Sequence, residues 1–89
     1  MTLTDDDYRE LAARCAVQDF GRIERDGESV YVSMDVYVDY ETEEDTGGHI
    51  PVCAECRVTF FDSDTEDGSD VELDECRLEE LTHDMLMYY

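Results

Sequence analysis

The segment "HIPVCAECRVTFF", His49–Phe61, holds the residue pair with the strongest claim to chemistry, Cys53 and Cys56 in a Cys-x-x-Cys spacing. Two such thiolates make half of a zinc site when a tight turn brings both to within about 2.3 Å of one ion. They make a redox pair when a helix N-terminus lowers one thiol pKa. The surrounding residues argue against both settings. Val52, Val58 and Thr59 favour a strand, and positions i and i+3 of a strand project to opposite faces. Cys56 then joins the apolar face and Cys53 the outer one. Only a bulge that breaks the strand lets His49, Cys76 or His83 complete four ligands. The expectation is therefore four reduced thiols, with Cys15 and Cys76 buried on the inner sides of helices as small hydrophobes. No metal or other cofactor is expected; a cysteine-based zinc module is the alternative.

The stretch Asp62-x-Asp64-x-Glu66-Asp67-Gly68 resembles the calcium loop of an EF-hand in its alternating carboxylates. It departs from that pattern in detail. Gly68 comes one place late, Leu73 stands where a bidentate Glu belongs, and no helix precedes it. A solvated acidic turn is the plainer reading. Catalytic signals are also missing. His49 falls in a loop, and His83 lies off the apolar stripe of its helix. No Ser occupies a nucleophile elbow, and no glycine loop cradles phosphate. The absence of Lys removes Schiff-base chemistry. Carboxylates are abundant, but acid–base catalysis needs a pair whose pKa values are pushed apart. No catalytic residue is expected, and the chain reads as a non-enzyme.

The elements that carry these residues follow from periodicity. Thr4 caps a helix whose apolar stripe is Tyr8, Leu11, Ala12, Cys15 and Ala16. Leu3 and Tyr8 form a hydrophobic staple, and Asp5–Arg9 and Glu10–Arg14 are i,i+4 pairs. Asp26-Gly27 marks a hairpin between a short strand and a long one. In the long strand Val30, Val32, Met34, Val36, Val38 and Tyr40 share one face. In the next, Ile50, Val52, Ala54, Cys56, Val58 and Phe60 share one face. The two apolar faces coincide when Val36 lies opposite Cys56, with the turn at Glu44–Gly48. After a short Val71-Glu72-Leu73 extension, Asp74 caps a last helix with the stripe Leu78, Leu81, Met85 and Tyr88. There is no internal repeat. The fold predicted is a single α+β domain over 1–89, α-β-β-β-α: a β-meander of three or four antiparallel strands covered on one face by both helices. The predicted core is Leu11, Val32, Met34, Val36, Val38, Val52, Cys56, Val58, Phe60, Leu78 and Leu81.

Charge narrows the partner. The 89 residues include 26 acidic and 6 basic ones, all Arg, for a net charge of −20. That field repels nucleic acid and anionic membranes and attracts basic surfaces. Met1 is followed by polar residues and an Asp run, and no apolar stretch reaches membrane-span length, so a soluble, cytoplasmic protein is expected. The outer sheet face carries Asp35, Asp39, Glu41 and Glu43, with Glu55 beside them and Tyr31, Tyr37 and Phe61 interspersed. Asp62 and Asp64 extend it as an acidic loop. Same-face strand residues repeat every ~6.8 Å, so spaced carboxylates can imitate a line of phosphates. Aromatic residues among acids suit a protein interface.

In size, charge and mixed α/β build the chain resembles the small acidic DNA mimics and the anti-restriction and anti-CRISPR inhibitors of phages and mobile elements. The resemblance implies a basic, nucleic-acid-binding protein as partner, with no direct nucleic-acid contact. Two bland readings stand beside it. The surface serves solubility or concentrated salt, where −20 is screened, or the outer face closes a homodimer.

Overall fold

The structure, a computed structural model, describes residues 2–65, Gly68 and residues 71–88. Among these the order is α1 (Asp5–Gln18), β1 (Phe20–Arg25), β2 (Glu28–Thr42), β3 (His49–Asp64) and α2 (Glu75–Met87). The three strands form an antiparallel sheet in sequence order. The expected α+β meander is the observed fold. Residues 71–74 are not a strand; Val71 is buried and Leu73 packs against the core.

Local chemistry sets each boundary. The Thr4 hydroxyl accepts from the Asp7 N–H at 3.2 Å, and an Asp7 carboxylate oxygen accepts from the Thr4 N–H at 2.9 Å, a reciprocal cap. Buried Asp7 also pairs with Arg25 at 3.2 Å, tying the start of α1 to the end of β1. Asp26 and Gly27 take φ of 53° and 79°, the left-handed pair that a two-residue hairpin turn needs. Gly21 is buried where α1 crosses β1; a Cβ there would meet the Leu11 carbonyl oxygen at 3.3 Å. Asp74 caps α2 through the Arg77 N–H, and its own N–H donates to the Tyr8 hydroxyl at 2.9 Å. Arg77 lies over the Tyr8 ring and pairs with Asp5. Asp5 therefore serves α2 rather than Arg9, which pairs with Asp6 instead. The hydrogen bond and charge of Arg77 hold the Asp5 carboxyl below the usual range.

The core lies between the helices and one end of the sheet: Tyr8, Leu11, Ala12, Cys15, Ile23, Val30, Val32, Met34, Val71 and Leu78. Burial pushes the Cys15 thiol up to about 11, with Asp19 adding to the effect. Val36, Cys56, Val58 and Leu81 pack at its margin as expected.

Three core predictions fail: Val38 is only half-buried and lies outside the core cluster, and Phe60 and Val52 are exposed, for which the pairing of β3 is a cause. Val36 does lie opposite Cys56, but the register slips at Ser33/Met34, where Thr59 is the extra residue of a bulge. A one-residue slip exchanges the two faces of a strand. Beyond Thr59, Phe61 stands opposite Val32 and packs on the core, while Phe60 stands opposite Ser33 on the outer face, 54% exposed. A second slip at Asp39/Tyr40 makes Val52 the extra residue and sets Ile50 opposite Glu41, on the outer face.

Val52 is exposed for a further reason. Helices of 14 and 13 residues reach only ~20 Å at 1.5 Å per residue. Strands of 15 and 16 residues run ~50 Å. The helices cover one end of the sheet, and the β2–β3 hairpin projects beyond them as an arm, giving a molecule 57 Å long and 20 by 17 Å across. Val52, Tyr40 and Ile50 lie on that arm, each about half exposed. Tyr88 and Cys76 are also exposed rather than inward-facing. No helix among the described residues is long and apolar enough to cross a membrane.

Candidate interaction surface

The outer sheet face is not covered by either helix. At the body of the domain three aromatic rings cross all three strands. Phe20 and Tyr31 stack with centroids 6.2 Å apart, and Tyr31 meets Phe60 edge-on at 6.0 Å. The strand pairing builds this row, since Phe20 and Phe60 flank Ser33 from either side and Tyr31 is its same-face neighbour. Phe20 and Phe60 are 43% and 54% exposed. The rings pack on one another but leave much of their apolar surface in contact with water.

Carboxylates flank the row on both sides along the strands. Asp62 lies opposite Tyr31 and Asp64 opposite Ser29 at the body end. Both belong to β3 rather than to the expected acidic loop, because the strand runs to Asp64. Toward the arm, Asp35, Asp39 and Glu41 follow on β2, with Tyr37 62% exposed among them and Glu55 directly opposite it. Two arginines share the face. Arg57 stands opposite Asp35, and Arg22 reaches Glu24 at 3.6 Å.

Of the residues expected here, Tyr31, Asp35, Tyr37, Asp39, Glu41, Glu55, Asp62 and Asp64 do share this face. Phe61 does not, for the reason given by the bulge at Thr59. Glu43 belongs to the hairpin tip, where its carboxylate accepts from Thr46 and its N–H donates to the Gly48 carbonyl. Residues 66–67 and 69–70 of the acidic stretch lie outside the described residues. Phe20 and Phe60 were missed. The face of Phe20 was readable, because a two-residue turn at Asp26-Gly27 sets Phe20 beside Ser33. For Phe60 the signal was the Phe60-Phe61 doublet, of which only one ring can enter the core.

The thiols stand as the alternation implies. Cys53 pairs with Asp39 on the exposed outer face and Cys56 with Val36 on the inner one, so the two do not converge on one ion. Burial raises the Cys56 pKa, and Glu79 adds to it. Among the described residues no cluster of three or more His, Cys, Asp or Glu is arranged to hold a metal ion. His49 is the first residue of β3 and meets the Tyr40 ring edge-on at the arm tip; His83 faces Asp84 at 3.8 Å.

The surface is suited to cations. A ring face attracts Arg or Lys through its quadrupole, and flanking carboxylates accept charge-assisted hydrogen bonds. Comparison with protein-family models, with curated proteins and with solved structures finds no match for the chain.

Proposed function

We propose that this protein is a non-enzymatic interaction module that docks on a basic protein through its outer sheet face, and that the partner is a nucleic-acid-binding protein whose site it occupies. The observation that carries the reading is the open Phe20–Tyr31–Phe60 row flanked on both sides by carboxylates. The aromatic row supplies anchors. The carboxylates of Asp35, Asp39, Glu41, Glu55, Asp62 and Asp64 supply spaced negative charge on a rigid strand frame, as a phosphate backbone does for its reader. A net charge of −20 speeds encounter with a positive cleft.

The test is displacement of DNA from basic nuclease– or repressor–DNA complexes across a salt series. Displacement that weakens with salt and is lost in Tyr31→Ala and in Asp35→Asn/Asp39→Asn supports the reading. Displacement insensitive to those variants, or none at low salt, leaves the charge as a generic solubilising or salt-adapted surface.

A further inference from the structure

The arm is a two-stranded ribbon, and its two edges differ. β1 pairs with β2 only from Glu28 to Ser33. One more ladder bond follows, from the Met34 N–H to the Asp19 carbonyl at 2.8 Å. Asp19 is left-handed, φ 68°, and the chain before it is α1 rather than strand. Backbone groups along an antiparallel strand alternate in direction. Met34 points toward the β1 side, and Glu43, which donates to the Gly48 carbonyl, points toward β3. Val36, Val38 and Tyr40 therefore point as Met34 does. Among the described residues no strand stands there to meet their N–H and C=O groups. The open stretch of β2, residues 35–42, is about 27 Å long at ~3.4 Å per residue.

The opposite edge, along β3, is blunted. Thr59 and Val52 are extra residues that break its ladder, and Pro51 has no N–H to donate. Bulges and Pro are devices that keep an edge from pairing. Residues 35–42 of β2 carry neither: both extra residues are on β3, and the stretch has no Pro. Its side chains sort by face. Asp35, Tyr37, Asp39 and Glu41 are outward, and Val36, Val38 and Tyr40 inward. Across the hairpin Asp39 faces Cys53 and Glu41 faces Ile50, so neither meets a cation there. At the foot of the edge a hollow of about 700 Å³ is lined in part by Asp19, Asp35, Val36 and Glu79. A chain laid along the edge enters open space there, among acidic residues.

We propose that this edge of β2 takes up an extended segment of the partner as a further strand, a mode of docking that rests on the reading of that partner as a basic protein. The segment runs antiparallel to β2, as β1 and β3 do, in line with β1. It carries basic side chains at the positions facing Asp35, Asp39 and Glu41 and apolar ones facing Val36, Val38 and Tyr40. Main-chain bonds to Val36, Val38 and Tyr40 supply affinity, and the alternation of side chains supplies selection. Opposite charges directly across a ladder attract and like charges repel. The same rule turns away a second copy, whose own β2 edge would set Asp35, Asp39 and Glu41 against the same three residues.

The experiment titrates the isotope-labelled full chain with a blocked peptide of alternating Lys and Val, about nine residues long, and reads binding and amide exchange by NMR. Exchange at the Val36, Val38 and Tyr40 amides is expected to slow by about tenfold or more in the complex. In an antiparallel strand with Val on the inner face, the Val amides of the peptide face β2 and the Lys amides face away. Methylating the Val nitrogens should weaken binding by about tenfold or more, and methylating the Lys nitrogens by less than about threefold. Asp39→Asn/Glu41→Gln should weaken it by about fivefold. Equal loss for the two methylated peptides, binding without slowed exchange at those three amides, an affinity unmoved by the double variant, or no binding at about 0.1 M salt overturns the proposal. So do amides already slow in the free chain and released on dilution, which would put a second copy on the edge. DNA displacement without strand addition overturns this mode of docking and leaves the basic partner standing. Strand addition without displacement supports the mode and removes only the nucleic-acid-binding partner.

Discussion

The bulge at Thr59 makes a reversal that stability measurements can read. Strict alternation from Cys56 buries Phe60 and exposes Phe61; the structure does the opposite. Removing a fully buried Phe side chain to Ala costs about 3–5 kcal/mol. Phe61 is partly buried against the core, so about half of that, ~2 kcal/mol, is the expected cost of Phe61→Ala. Phe60 is 54% exposed and touches Tyr31 edge-on, so Phe60→Ala is expected to cost below ~1 kcal/mol, the worth of a partly solvated aromatic pair. In a domain of this size each kcal/mol moves Tm by roughly 4–8 °C. The two variants therefore separate by at least several degrees. Equilibrium denaturation in urea at fixed high ionic strength gives the free energies directly, with m held as the check on two-state behaviour. Equal losses, or a larger loss for Phe60→Ala, would refute the register on which the aromatic row depends.

Asp7→Ala removes the carboxylate half of the α1 cap and the partner of Arg25, while the residue-7 N–H still donates to the Thr4 hydroxyl; a loss of about 1–2 kcal/mol is expected in the same denaturation assay, and Asp7→Asn recovers part of it. Native-state alkylation read by mass spectrometry should modify exposed Cys53 and Cys76 first, and Cys15 only on unfolding, since it is fully buried. Cys15 also sets an alkaline limit. Its pKa is raised from 9.0 to about 11 in the folded state, so the folded chain keeps a proton that the unfolded chain releases. Its contribution is constant below the unfolded value and is lost as pH rises through that window, by about 2–3 kcal/mol in full. Stability measured against pH should fall less steeply there in Cys15→Ala than in the parent, with tyrosine titration common to both.

The sequence by itself determined the elements and the coarse frame. Capping chemistry at Thr4 and Asp74, the Asp26-Gly27 turn and the change of period from helical to alternating are local signals, and local signals are complete in the chain. They set the α-β-β-β-α order, placed Val36 opposite Cys56 and put Cys53 and Cys56 on opposite faces. They also placed Tyr31, Asp35, Tyr37, Asp39, Glu41 and Glu55 on the face where the strand pairing puts them. Tertiary structure alone decided two further matters. A bulge costs one residue of period, and nothing in Arg57-Val58-Thr59-Phe60 announces which residue is left out of the ladder, so Phe60 and Phe61 exchanged roles. How far the helices reach along the sheet depends on a comparison of lengths across the whole molecule: ~20 Å of helix against ~50 Å of hairpin. That mismatch leaves Val52, an expected core residue, and Tyr40 on the same arm about half exposed.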